Sequence, residues 1–145
     1  MIDLRYPTAL QIVLSLTVAQ ESDARCTSGE LAAALGINPV LVRKLIVPLA
    51  RDGIVSSTSG RRGGVRLARP AEQITLLDVY RAVVDDKRML VPRPDVPAVC
   101  VVSRNIGSFF DSLADEAESG LSDLLSQKTI AQGLAAIRRL DNGAP

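Results

Sequence analysis

Between Arg5 and Gln20 the apolar residues Ala9, Ile12, Val13, Leu16 and Ala19 recur at steps of three and four, the spacing of one helical face, and Leu10, Leu14 and Val18 broaden it. A core helix is expected there. The next run, "TSGELAAALG", carries its own boundaries: Thr27 as N-cap, Glu30 three residues on to complete a capping box, and Gly36 to end the helix. In "INPVLVRKLIVPLARDG" Asn38 serves as N-cap and Pro39 takes the first helical position, where no N–H is needed, with the helix ending before Gly53. Its apolar side is read as Leu41, Leu45, Ile46 and Leu49, with Arg43 and Lys44 off it. Pro48 removes a bond to the carbonyl of Lys44 and is expected to kink the last turn.

Two short helices joined by the glycine-containing turn "GIN" form the pattern of a helix-turn-helix. "GIVSSTSGRRGGVRLARP" then reads as strand, glycine turn, strand: Ile54 and Val55 lead the first, Val65 and Leu67 alternate with Arg66 in the second, and Pro70 closes it. A hairpin directly after a recognition helix is a wing. Thr75 with Asp78 three residues on opens a further helix through Leu76, Leu77, Val79, Tyr80 and Val83, Tyr80 being read as a core or interface residue. "DDKRMLVPRPDVPAV" holds Pro92, Pro94 and Pro97 and reads as a loop.

From about 101 to 125 the apolar positions 102, 106, 109, 110, 113, 117, 121, 124 and 125 mark a long helix with a broad stripe. At about 1.5 Å per residue, roughly 25 residues extend nearly 40 Å, more than one side of so small a domain can cover. A second subunit is expected to bury the stripe. "TIAQGLAAIRRL" closes the chain as a short helix with Ile130, Leu134, Ile137 and Leu140 inward. The expected fold class is mainly α with a small β-hairpin: a winged helix-turn-helix plus a long C-terminal dimerisation helix. Residues 1–84 form the DNA-binding domain, 85–99 a linker loop, and 100–145 the dimerisation helix and C-terminal helix.

Composition narrows the function. The 145 residues are 47% apolar and 23% charged, which is ordinary for a globular domain. No uninterrupted apolar run is long enough for a membrane span, and Arg5, Pro7, Thr8 and Gln11 interrupt what a signal peptide needs, so a cytoplasmic protein without membrane association is expected. With no histidine, no P-loop and no G-x-G-x-x-G, and with Ser103 and Cys100 lacking an evident base, an enzyme is not expected. Net charge is only +1, but its distribution is uneven. Residues 43–69 hold seven arginines and lysines against Asp52 alone, whereas 111–123 hold five acidic residues and no basic one. One face built for a polyanion, with another left to solvent or self-contact, produces such segregation.

The side chains placed to meet double-stranded DNA follow from that arrangement. The N-terminal part of a recognition helix enters the major groove, which nominates Asn38, Val40, Arg43 and Lys44, and Ser28 at the start of the preceding helix can reach a phosphate. The recognition helix covers about 38–51 and the wing about 54–68. Arg61 and Arg62 on the wing tip can reach phosphates or a narrow minor groove, and glycines there, Gly63 among them, permit close approach.

The segments "RYPTALQIVLSL", "SGELAAALGINPVLVRKLIVPLARDGIVSS", "GRRGGVRLARP" and "ITLLDVYRAV" together resemble the Rrf-two type of bacterial winged-helix transcription regulators, the family of IscR, NsrR and CymR. The resemblance implies a homodimeric DNA-binding protein in which Asn38, Val40 and Arg43 occupy base-reading positions, here expected to be a repressor acting by promoter occlusion at a pseudopalindromic operator. Two departures bear on specificity. "LVR" stands where many relatives read Tyr-Leu-Glu, so Arg43 offers a donor fork suited to guanine in place of an acceptor suited to cytosine. Ser59 stands where relatives often carry an arginine.

The resemblance also bears on cofactors. Cluster-holding members use three cysteines in the loop before the long helix, whereas only Cys100 lies there, and Asp3, Asp86 or Asp95 would add an oxygen ligand at most. No cofactor and no metal are expected, and "VCVVSRNI" resembles a cluster-free subset. The effector, small-molecule or redox, is left open. Cys26, in a polar stretch, is expected to be exposed; Cys100 is read as a small residue packed at a helix start, with a redox thiol as the alternative. Two other functional readings stand beside the regulator: a winged-helix protein-interaction module without specific DNA binding, and a thiol-based redox sensor using Cys26 or Cys100.

Overall fold

The computed structural model describes residues 3–24, 26–85, 88 and 90–143, arranged as two compact units: residues 1–85 with 126–145, and residues 86–125. In the first unit, helix α1 (Arg5–Glu21) buries Ala9, Ile12, Val13 and Leu16 at the periodic positions. Its one buried hydroxyl, Thr17, donates to the Val13 carbonyl at 2.8 Å and so leaves no unsatisfied group in the core.

Helix α2 (Ser28–Leu35) begins with a complete capping box. The Thr27 hydroxyl accepts from the Glu30 N–H at 3.2 Å, and the Glu30 carboxylate accepts from the Thr27 N–H at 2.7 Å. The helix ends at Gly36, whose φ of 65° is the left-handed value that a side chain would strain. Helix α3 (Pro39–Arg51) starts with Asn38 Oδ1 accepting the Val40 N–H at 2.8 Å, and it turns 118° from α2. That angle is within the range of a helix-turn-helix. The helix continues through Pro48 to Arg51. Its buried side is Val42, Leu45, Ile46 and Leu49; Leu41, placed on the apolar side by the sequence pattern, is exposed instead. Three consecutive apolar residues, 40 to 42, leave the phase of the helix open until its neighbours fix it.

Strands β1 (Val55–Thr58) and β2 (Gly64–Leu67) pair antiparallel, Val55 opposite Leu67 and Thr58 opposite Gly64. Their inner residues Val55, Val65 and Leu67 join the core of α1–α3. A 3-10 turn (Ala71–Gln73) leads to helix α4 (Leu76–Val83), opened by reciprocal bonds between Thr75 and Asp78. Tyr80 on α4 meets Tyr6 edge to face at 5.1 Å, and the Tyr6 hydroxyl donates to the Leu76 carbonyl, a structural pairing.

Helix α6 (Ile130–Asp141) returns to this unit, whereas the sequence pattern grouped it with the long helix. The residues ahead of it pair with those ahead of α4: Leu76 N–H donates to the Lys128 carbonyl and Ile130 N–H to the Ile74 carbonyl, both at 2.8 Å. Ile130 and Leu134 are buried, but Ile137 and Leu140, expected inward, are exposed. Periodicity locates an apolar side without showing whether anything covers it. Near that end Arg138 forms an ion pair with Glu21 on α1.

The second unit holds the proline-containing loop and helix α5 (Val101–Ser126), which extends just past its boundary. Arg88 ties the loop to α5 through Asp111 at 3.1 Å and Asp115 at 2.9 Å. Along α5, Val102, Ile106, Phe109, Leu113 and Leu124 are exposed, an apolar row at heptad-like spacing. Among the described residues no single helix is long and apolar enough to cross a membrane.

Candidate nucleic-acid interface

The outer face of α3 displays Asn38, Val40, Arg43 and Lys44, all exposed. Packing Val42, Leu45, Ile46 and Leu49 against the core forces the intervening residues outward, so the same helical phase that builds the core presents the cations. Asn38 accepts the Val40 N–H with its carbonyl oxygen, which fixes the side chain, and its amide N–H₂ takes no part in the cap. Ser28 is half-buried at the start of α2. Between α3 and the wing runs a groove of about 460 Å³, bordered by Thr27, Ser28 and Arg43 on one side and by Ser57–Gly60 on the other.

The wing tip is shaped by two glycines. Gly60 adopts φ 99°, and the Gly63 N–H closes a turn onto the Gly60 carbonyl at 2.9 Å. Gly63 is itself buried, and a Cβ there would stand 2.1 Å from the Thr58 carbonyl oxygen. The absence of a side chain there is what lets the tip fold, and Gly63 also lines the groove. The outer edge of β2 is held as well: Val65 N–H donates to the Cys26 carbonyl at 2.7 Å, and Leu67 N–H to Gln20 Oε1 at 2.9 Å. Gln20 is a positioning residue that sequence reasoning missed, because a glutamine at the end of a helix carries no pattern of its own.

Arg61 and Arg62 are both exposed at the tip, but Arg62 also borders, with Arg66, Gln20 and Asp23, a smaller cleft of about 240 Å³ on the α1 side of the wing. The two adjacent arginines thus have different surroundings. Among the described residues no carboxylate pairs with Arg43, Lys44, Arg61, Arg62 or Arg66, nor with Arg81, Arg93, Arg104, Lys128 or Arg139, whereas Arg5, Arg51, Arg69, Arg88 and Arg138 form ion pairs. Cations without an internal partner engage phosphate without first breaking an ion pair.

The two cysteines are placed otherwise than the sequence suggested. Cys26, expected exposed, is partly buried against the core, and that burial, with Glu30 adding to it, pushes its thiol pKa up. Cys100, read as packed at the helix start, is exposed. The Ser103 side chain first, then the backbone N–H groups of Ser103 and Val102, lower its pKa. The geometry is a reciprocal cap: Ser103 N–H reaches Cys100 Sγ at 3.4 Å while Ser103 Oγ accepts the Cys100 N–H at 2.9 Å.

Helix-turn-helix, wing and long trailing helix define the winged helix-turn-helix class of transcription regulators. Residues 2–136 match the Rrf2 family model, described as an iron-dependent transcriptional regulator, and the chain belongs to that family, whose regulators bind DNA and are not enzymes. The aau3 protein of Rhizobium meliloti (strain 1021) is 45% identical over 60 residues, spanning 41% of this chain and 39% of that protein, so less than half of either is aligned. YwnA of Bacillus subtilis (strain 168), named as a candidate HTH-type transcriptional regulator, is 27% identical over 90% of this chain and 94% of its own. The solved T. potens IscR superposes with a TM-score of 0.70 at 18% identity, over 94% of this chain and 88% of that one, and so shares the fold.

The family description raises the question of iron. Among the described residues no group of three or more Cys, Asp or Glu side chains is placed to hold a metal ion, and the chain has two cysteines and no histidine. Asp3 and Asp95 take no part in any such group, and Asp86 lies outside the described residues. Soft thiolate ligands in number are what an iron–sulfur cluster requires, so this donor set does not fit one.

Proposed function

We propose that the protein is a homodimeric, cofactor-free transcription regulator of the cytoplasm that represses by occupying a pseudopalindromic operator. The observation that carries this reading is the set of exposed cations on α3 and the wing, Arg43, Lys44, Arg61, Arg62 and Arg66, which form no ion pair with another described residue; Arg43 borders the groove between the two elements. In the reading, Asn38, Val40, Arg43 and Lys44 enter the major groove, Ser28 and Arg61 meet phosphates, and Arg62 reaches the backbone beside the wing. Gly63 contributes by shaping the tip. The exposed row on α5 supports self-association, and a two-fold dimer would place two α3 helices at half-sites about one DNA turn, roughly 34 Å, apart.

Selection of bound duplexes from a random pool tests specificity, symmetry and half-site spacing together. Binding to the selected duplex is expected to weaken steeply with salt, and Arg61→Ala with Arg62→Ala to flatten the slope of log affinity against log salt by about 0.9 for each phosphate that the protein no longer neutralises. Affinity indifferent to salt and to both substitutions would favour a protein-interaction module instead.

A further inference from the structure

Val47 is 69% exposed on α3, more than Val40 or Leu41 on the same helix. It plays no part in the core: the buried residues of the helix are Val42, Leu45, Ile46 and Leu49. Val47 borders the groove between α3 and the wing together with Arg43. It follows Val40 by seven residues, with Arg43 and Lys44 between at three and four. Residues spaced this way share one stripe of a helix, and recognition helices read bases through that spacing. The stripe therefore alternates apolar, cationic, apolar.

Resting on the DNA-binding reading, we propose that Val47 is a specificity-determining residue that reads the C5-methyl group of a thymine in the operator half-site. In the major groove only thymine presents a methyl group, and an apolar side chain is the partner that distinguishes it from cytosine, whose edge there carries an N–H donor. Arg43, one helical turn before Val47, suits guanine. One turn of α-helix rises about 5.4 Å, less than two base-pair steps, so the thymine lies within about two base pairs of that guanine. A lysine or arginine at position 47 would strengthen DNA binding in general, whereas valine gives up that charge and keeps the ability to discriminate.

The test uses the full chain and a duplex selected from a random pool, with deoxyuridine replacing each thymine of the half-site in turn, which removes one methyl group and nothing else. The wild-type protein is expected to lose about three- to fivefold in affinity at one thymine position, the amount expected for one buried methyl group. Val47→Ala is expected to bind the unmodified duplex several-fold more weakly and to show no further loss with deoxyuridine at that position. Because Val47 is exposed, its thermal melting should match wild type. If the wild type is indifferent to every deoxyuridine, or if Val47→Ala loses as much as wild type at the same position, the assignment of Val47 is overturned while the regulator reading stands. If no duplex is selected at all, both fall.

Discussion

At the scale of single residues, the wing depends on Gly63 more than on its flanking arginines. A methyl group at that position would clash with the Thr58 carbonyl oxygen, 2.1 Å away, and backbone cannot swing aside as a flexible side chain can. Gly63→Ala is expected to cost about 1–3 kcal/mol of stability, read from the urea midpoint, and to weaken DNA binding because the tip must refold. Arg43 and Lys44 were legible from the sequence as residues off the apolar side of α3, and both are exposed. The exposure of Val47 was not, because in the apolar run Leu45–Ile46–Val47 only the packing of the neighbours decides which residue faces outward. The separate settings of Arg61 and Arg62 were equally hidden, since the turn between Gly60 and Gly63 decides which way each leaves the hairpin.

At the scale of elements, local chemistry was the most readable part of the chain. Thr27 with Glu30, Asn38 with Pro39, and Thr75 with Asp78 each satisfy orphan N–H groups within a few residues, so their boundaries need no knowledge of the fold. Helix α2 has only eight residues, too few to persist without its cap and its packing. Thr27→Ala is expected to cost about 1 kcal/mol, which in a domain of this size lowers the melting temperature by roughly 2–4 °C. What the sequence left open depends on distant partners. Leu41, read as core, is exposed while Val42 is buried, and Ile137 and Leu140 in the last turns of α6 are exposed, because periodicity records where apolar residues point and not what they meet.

For the whole molecule the exposed row of α5 has the largest consequence. Val102, Ile106, Phe109, Leu113 and Leu124 lie along a helix of 26 residues, about 39 Å long. Burying one phenylalanine side chain is worth roughly 1.5–3 kcal/mol, and a two-fold interface counts it twice. Phe109, 64% exposed, is the largest side chain in the row, so Phe109→Asp is expected to dissociate the proposed dimer to a monomer in sedimentation while melting of the winged unit changes little. Its affinity for a two-half-site duplex should fall far more than for a single half-site.

The last turn of α1 joins two otherwise separate tethers. Gln20 grips the outer edge of β2, and the adjacent Glu21 holds Arg138 near the end of α6, the helix that follows α5 along the chain. Neighbouring residues of one helical turn thus fasten both the hairpin and the returning helix, so a disturbance to the end of α1 would loosen two remote segments at once.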